Sequence, residues 1–283
     1  MHDLAVGICR FSFLGRGDWA VFRGVDTGQE ATLLDDIAGA LYGPARLAFR
    51  RWCLRHVLMP SLAAQTDPDF VFIFLTSPEL PEAARAELVG LAASVPQVRV
   101  VTSDERSVDA ALRPVLMNIE RTHNRRLVQF RIDDDDALTP DYVARLNAAA
   151  RAMAGAGAYA FTLPRQLIVT RYADAPLRFF DMSLPFHSAG CAVRPHHRDR
   201  TVFSFGHLAL GRRFLHVQDP RIIGSVQLKF EGHDSRPFGG GHPPGARVTE
   251  LDAEAGVQAI ARAFPFLGGV DFEEGAGLSL AVP

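Results

Sequence analysis

In the first half of the chain, short uninterrupted apolar runs alternate with segments whose apolar residues recur every three or four positions. Leu4 to Cys9 is the first run and reads as a strand ending at Arg10-Phe11-Ser12. Residues 15 to 30 carry Gly15, Gly17, Gly24 and Gly28 and read as a loop. From Ala45 the spacing of Leu47, Trp52, Leu54, Leu58 and Leu62 suits a helix. Arg46, Arg50, Arg51 and Arg55 form its polar side, and Pro60 kinks or resets it. Asp69 to Leu75 is too short for a buried helix and rich in β-formers, so it reads as a buried parallel strand. A helix is expected over Pro81 to Ala93, a strand over Val98 to Val101, a helix over Val108 to Thr122 and a strand over Leu127 to Ile132. This alternation predicts an α/β layered domain with a mostly parallel sheet flanked by helices.

Beyond about residue 150 the texture changes. Tyr159 to Thr170 and Gly190 to Val193 look like strands, but Gly, Pro and His interrupt the pattern. Residues 236–247, with Gly-Gly-Gly and Pro-Pro, read as a flexible loop, and Leu251 to Phe264 as a last helix. A regular first half and an irregular second half suggest that each binds one ligand.

Composition narrows the class. With 283 residues, 48% hydrophobic and 22% charged, the chain can bury a substantial core in one large domain or two small ones. A formal net charge of -2 argues against a nucleic-acid binder. Cys9, Cys53 and Cys191 are widely spaced, which suggests reduced thiols and offers no CxxC pair for zinc. The apolar stretch from Leu4 breaks at Arg10, too soon for a signal peptide, and no run approaches the roughly 18 residues that span a bilayer. A cytoplasmic protein is expected, with peripheral docking at the inner face of the membrane open through arginine and aromatic side chains. Lys229 is the sole lysine, so arginine supplies the other 29 of 30 basic residues. Base composition accounts for most of them, while guanidinium forks suit phosphate and carboxylate.

The sharpest chemistry is Asp133-Asp134-Asp135-Asp136, at the carboxyl end of an expected buried strand. Ligands bind at that end in open α/β sheets. Thr139 can cap the next helix, Pro140 fits its first turn, and Asp141 favours its positive end. Strand alternation can turn Asp133 and Asp135 to one side, where they could hold Mg²⁺ or Mn²⁺ bridging to substrate phosphates. The plain alternative is a solvated acidic turn that only starts a helix. A calcium loop fits poorly, since Leu138 stands at its invariant glycine and Ala144 at its closing glutamate. A haloacid-dehalogenase-type phosphatase, with an aspartyl-phosphate at Asp133, is a second enzyme reading. Ala137 departs from its motif. A non-catalytic sugar-nucleotide or glycan-binding protein is a third.

The stretch from Ile132 to Pro140 resembles the DxD region of GT-A glycosyltransferases. Leu58-Met59-Pro60-Ser61-Leu62-Ala63-Ala64-Gln65-Thr66 resembles their helix leading into the second strand. Arg10-Phe11-Ser12, together with Arg131 before the acidic cluster, is similar more narrowly to a bacterial family of proposed rhamnosyltransferases. The resemblance covers residues 4 to 150 well and the remainder weakly.

It implies a single GT-A-like (Rossmann-like) domain over 1–283. Residues 1–140 would bind the nucleotide sugar, and 141–283, with the loop 236–247, an irregular acceptor portion. The implied reaction moves a sugar, rhamnose by the family's name, from a nucleoside-diphosphate donor to a glycan or lipid-linked glycan, with inversion and a divalent cation. Asp133 and Asp135 would be the DxD aspartates and metal ligands, with His233 a third. Asp136 would orient the site or hold the sugar. Arg10 and Phe11 after the first strand, Arg131 and Arg236 would line the donor nucleotide and its diphosphate. Where relatives read the base with an aspartate, this chain has Leu75-Thr76-Ser77, so hydroxyls or backbone must serve. For the general base the second half offers Asp181, Asp199, Asp219, His207 and Glu231, with Asp181 and His207 following aromatic runs. His196-His197 is expected in a solvated loop.

Overall fold

The structure is a computed structural model that describes residues 2–15, 30–173, 175–231, 238 and 245–282. Its first half runs β1 (Leu4–Arg10), α1 (Glu30–Leu41), α2 (Pro44–Cys53), α3 (Met59–Ala63), β2 (Phe70–Thr76), α4 (Glu82–Ala92), β3 (Val98–Thr102), α5 (Val108–His123) and β4 (Leu127–Arg131). A π-helical turn, Leu54–Leu58, joins α2 to α3, so Pro60 resets the helix without ending it. Then come β5 (Asp136–Leu138), α6 (Tyr142–Ala152), β6 (Tyr159–Thr162), β7 (Arg165–Arg171), β8 (Arg178–Ser183) and β9 (Ala192–Arg194). The chain closes with α7 (Leu210–Arg213), β10 (Leu215–Gln218), β11 (Ile223–Phe230), β12 (Arg247–Leu251), α8 (Ala253–Ala263) and α9 (Phe272–Leu280).

The central sheet has seven strands in the order β10-β6-β9-β4-β1-β2-β3. β3, β2, β1 and β4 are parallel, β10 runs parallel to β6, and β9 alone is antiparallel to its neighbours. The chain adopts the expected α/β class with a largely parallel sheet flanked by helices. Alternation along β1 explains the layers. Ala5 and Cys9 join the core under α2, α3 and α6, while Leu4, Val6 and Ile8 join Leu112, Leu116 and Ile119 of α5 on the other face. Each such aliphatic side chain, fully buried, contributes roughly 1.5–3 kcal/mol. At Gly7 the rings of Phe130 and Phe72 close over the strand, and a Cβ would lie 2.4 Å from each.

The path of the chain places the site. It winds from β1 through β2 to β3 on one side, then returns to the other side of β1 with β4. The connections after β1 and β4 therefore diverge, and the carboxyl ends of these strands flank the crevice that such a switch creates.

A second sheet, ordered β12-β8-β7-β11-β5, is antiparallel except for β7 beside β11. Phe49 and Trp52 of α2, with Ile260 and Phe264, pack against its Phe179 and Phe230. Because β5 begins at Asp136, the acidic turn is the joint between the two sheets.

Several expectations are corrected. Tyr159 to Thr170 is two strands in two sheets, since Leu163-Pro164 interrupts the run. The aromatic run before His207 is a 3₁₀ turn over Val202–Ser204, closed by reciprocal Thr201 and Ser204 bonds. The helix after the acidic turn starts at Tyr142 with Asp141 at its N-cap position, and the Thr139 hydroxyl donates to Asp141 instead of capping. Leu251 closes β12, and α9 follows where no helix was expected. Arg247 likewise belongs to β12, whereas residues 236, 237 and 239–244 of the expected loop, and 16–29 of the earlier one, lie outside the described residues. No described helix is long and apolar enough to cross a membrane.

Candidate active site

β4 carries Arg131 to the sheet's edge, and Ile132 buries its side chain before the turn begins. The turn is pinned twice: the Asp136 amide donates to Asp133 O at 3.2 Å, and the Leu228 amide of β11 to Asp135 O at 3.2 Å. The four carboxylates then part company. The Asp133 side chain is 39% exposed, against 7% for Asp134 and 1% for Asp135, and Asp136 is also buried. A solvated acidic turn is therefore not what forms.

Arginine offsets this charge from three elements. Arg10, at the end of β1, lies 3.9 Å from Asp133 Oδ1, and Arg131 of β4 lies 3.6 Å from it. Both guanidinium groups stand over the ring of Phe203, at 4.6 and 5.0 Å from its centroid. From α2, Arg50 Nη1 donates to Asp134 Oδ1 at 2.6 Å and to Asp135 Oδ2 at 2.9 Å, with a side chain 5% exposed. One turn earlier, Arg46 Nη1 donates to the Leu41 carbonyl and reaches Ser12 Oγ at 3.4 Å. The face of α2 taken as a polar side thus divides. Arg46 and Arg50 are buried against the site, and Arg51 and Arg55 pair with Glu87. Arginines at i and i+4 were the available signal, and solvent was the wrong destination for half of them.

These placements set the ionisation. Burial alone would raise Asp133, but Arg131 and Arg10 hold it below the usual carboxylate range. Burial pushes Asp134 up to about 6 despite Arg50, and lifts Asp136 well above its usual value, with Asp135 and Asp133 adding to the shift. Burial and the neighbouring Arg131 lower Arg10 to about 10.

Motifs far apart in sequence meet here. Ser61 Oγ donates to Leu138 O and accepts from Leu138 N at 2.8 Å. Gln65 Nε2 donates to Thr139 O, and Gln65 Oε1 accepts from the Val143 amide, both at 3.0 Å. The Ser-Leu-Ala-Ala-Gln stretch is therefore a clamp on the exit of the acidic turn. In Arg10-Phe11-Ser12, Arg10 faces the turn while Phe11, fully buried edge-on to Phe74, fills the core. Phe11 is thus a packing residue and not the ligand contact expected of it. Ser77 Oγ, a candidate base reader, accepts from the Leu14 amide at 2.8 Å.

Two histidines and the single lysine complete the surroundings. His207 Nδ1 bonds to the Phe186 carbonyl at 2.7 Å, so it carries the proton and leaves Nε2 as the lone-pair nitrogen. Burial lowers the His207 pKa, and Arg131 and Asp133 are near enough to act on it. The His187 ring stands 6.0 Å from that of His207, and burial, with Lys229 and His207, takes its pKa down to about 3. Lys229 of β11 acts on Asp133 and Asp136 as well. Sequence reasoning missed Arg50, His187 and Lys229 as site residues. Lys229 could have been suspected as the lone lysine.

The other candidates lie elsewhere. Asp181 of β8 receives Arg165 Nε at 3.1 and 2.9 Å, an ion pair on the second sheet and not a free base. Asp219 is bound by Arg221, the Glu231 carboxylate accepts from the Ala173 amide, and Asp199 is exposed. His196 and His197 are exposed, as a solvated loop requires. His233 and Arg236 lie outside the described residues.

A divalent cation can be tested against the residues present. Among the described residues no group of three His, Cys, Asp or Glu is arranged to hold a metal. The three thiols are buried and burial raises the pKa of each, so the donors near Asp133 are carboxylate oxygen and the imidazoles of His187 and His207. Asp133, the carboxylate that solvent reaches, suits Mg²⁺ or Mn²⁺, which take one or two protein oxygens and complete their shell with phosphate and water, while Arg50 already holds Asp135 Oδ2. Zinc does not fit.

A profile of the family described as "Putative rhamnosyl transferase" matches residues 4–242. No curated protein matches the chain. Among solved structures, S. aureus TarS 1-349 is similar at a TM-score of 0.39 and 9% identity, over 80% of this chain and 60% of that one. The same protein in complex with UDP gives 0.38 and 9%, over 81% and 61%. A further S. aureus TarS structure gives 0.31 and 10%, over 62% of this chain and 22% of that one. The chain spans less than two thirds of the length of each.

Proposed function

The chain belongs to the family described as "Putative rhamnosyl transferase", and on that premise we propose that it is a glycosyltransferase. It moves a sugar from a nucleoside-diphosphate donor to a hydroxyl of a glycan or lipid-linked glycan. The observation that carries this is the convergence of Arg10 and Arg131 on the exposed Asp133 carboxylate, at the carboxyl ends of the paired strands β1 and β4. Residues 1–140 then supply the donor half and 141–283 the acceptor half.

In the proposed reaction the bond from the sugar's anomeric carbon to the diphosphate breaks, and its electron pair leaves with the diphosphate. Arg10 and Arg131 stabilise that growing negative charge, an electrostatic role that a half-buried site strengthens. The acceptor oxygen forms the new bond from the opposite face, which inverts the configuration. Its proton passes to His207 Nε2, the nitrogen left free by the bond of Nδ1 to Phe186 O. Asp133 and Asp135 would hold a divalent cation, which when bound neutralises charge on the diphosphate as a Lewis acid. Arg50 fixes Asp135 and Asp134 from behind. Rhamnose is the sugar proposed, on the family's description alone.

A thermal-shift screen of UDP-, GDP- and dTDP-sugars with and without Mn²⁺, followed by transfer assays, tests this reading. Metal-dependent stabilisation with transfer to an acceptor is expected. Stabilisation without turnover on any acceptor would favour a binding protein, and phosphate release from simple esters, with no response to sugar nucleotides, the phosphatase.

A further inference from the structure

Phe203 belongs to the second half of the chain, yet it touches the two arginines of the first. Arg10 Cζ and Arg131 Cζ stand 4.6 and 5.0 Å from its ring centroid, and the same two groups lie 3.9 and 3.6 Å from Asp133 Oδ1. Two like charges brought to one place repel each other. An aromatic face attracts both and fixes their planes without neutralising either. Asp133 already offsets one of the two charges, and a second carboxylate in the ring's place would cancel the charge that a diphosphate needs.

Its placement is built from several directions. The Phe203 amide donates to Thr201 Oγ1 at 3.1 Å, and the Thr201 amide to Ser204 Oγ at 2.9 Å, which closes the turn. Both hydroxyls donate to the Asp109 carboxylate in the first turn of α5, that of Ser204 at 2.9 Å. From β4, Gln129 Oε1 accepts from the Val202 amide at 3.0 Å, and its Nε2 donates to Arg200 O at 3.2 Å. Gln129 and Arg131 are two residues apart on one strand, so they share a face of the sheet. One strand face therefore holds both the turn that carries Phe203 and an arginine that lies on it.

We propose that Phe203 is a positioning residue of the donor site, the aromatic shelf that sets the spacing and direction of Arg10 and Arg131 for a diphosphate. This rests on the donor reading given above. It gives the second half of the chain a part in donor binding as well as in acceptor binding.

The test uses the full chain and inorganic pyrophosphate, titrated calorimetrically in the presence of Mg²⁺, with Phe203→Leu, Phe203→Tyr and Asp109→Asn. Without the ring the ligand must order the two guanidinium groups itself, which should weaken pyrophosphate about tenfold in F203L, while F203Y stays within about twofold of wild type. With sugar nucleotide, F203L should raise KM for the donor and lower kcat, since the same arginines meet the growing charge, while KM for the acceptor stays unchanged, a split that general loosening of the fold would not produce. Asp109→Asn, at a distance from the arginines, should weaken pyrophosphate in the same direction and serves if F203L does not fold. Wild-type affinity in F203L or D109N, or equal losses in F203L and F203Y, overturns the shelf and leaves the donor site standing. Failure of the wild type to bind pyrophosphate overturns the donor reading and the shelf with it.

Discussion

Arg50 offers the most demanding test of how the acidic turn is held. Its side chain is 5% exposed, and one nitrogen bridges Asp134 Oδ1 at 2.6 Å and Asp135 Oδ2 at 2.9 Å. Methionine at this position would keep much of the length and apolar packing while removing the charge. Two buried carboxylates would then lose a cation that touches both. Breaking a buried ion pair by removing one partner costs roughly 3–5 kcal/mol, a large share of a typical total of about 5–15 kcal/mol. At about 2–4 °C per kcal/mol for a chain of this size, melting should fall by roughly 6–20 °C. Combining Arg50→Met with Asp134→Asn should return part of the loss, with a coupling of roughly 1–3 kcal/mol, because the neutral amide needs no counter-charge. The assay is thermal and urea unfolding of wild type, both single variants and the double variant. A melting point for R50M within about 2 °C of wild type, or strict additivity in the cycle, would refute the reasoning.

Other expectations follow from the same contacts. His207→Gln should lower kcat by roughly 10²–10⁴-fold with little change in nucleoside-diphosphate affinity, and unchanged turnover would remove His207 as the base. Burial lowers His207 below its usual 6.5, so the base stays neutral and active under mildly acid conditions. The acid limb of the kcat/KM profile should accordingly lie below pH 6.5, and a limb above that value contradicts the assignment. Gly7→Ala should cost about 1–3 kcal/mol by denaturant unfolding, since the new Cβ meets Phe130 and Phe72 from opposite sides. Gln65→Leu should cost about 2–3 kcal/mol, because two hydrogen bonds at the exit of the acidic turn and one to the Ser61 carbonyl are lost and the Val143 amide is left without its partner.

The parallel half of the fold was readable because its signals are local. Runs such as Asp69 to Leu75 are apolar on both faces, as strands covered on both sides must be, and the helices between them keep their period. The second sheet was harder to see. Pro164 separates β6 from β7, but no local pattern says that the two strands enter different sheets. Phe203 and Phe205 have the composition of a strand, and hydroxyl bonds to Asp109, 92 and 95 residues away, decide otherwise. The acidic turn was found from its charge alone. Arg10 and Arg131 were expected beside it, but Arg50 was not, because it lies 84 residues from Asp134 on a helix whose pattern is equally that of a wet face. Asp181 erred in the opposite sense: an aspartate after two phenylalanines looks poised, and Arg165 on the neighbouring strand occupies it. α9 is rich in glycine and alanine, and its place depends on Gly275 admitting Trp52, a contact with no trace in its own periodicity.

The Asp133 turn is proposed as a metal-assisted donor site, and the decisive assay is release of nucleoside diphosphate from a panel of sugar nucleotides with Mn²⁺ and acceptor. Asp133 is the carboxylate of the turn that solvent reaches, so Asp133→Asn should leave the chain folded, with a modest loss of melting temperature from the two arginines beside it, while abolishing the release. Turnover of at least one donor by the wild type is expected, lost in EDTA and lost in D133N. Full turnover by D133N, or turnover indifferent to EDTA, would contradict it.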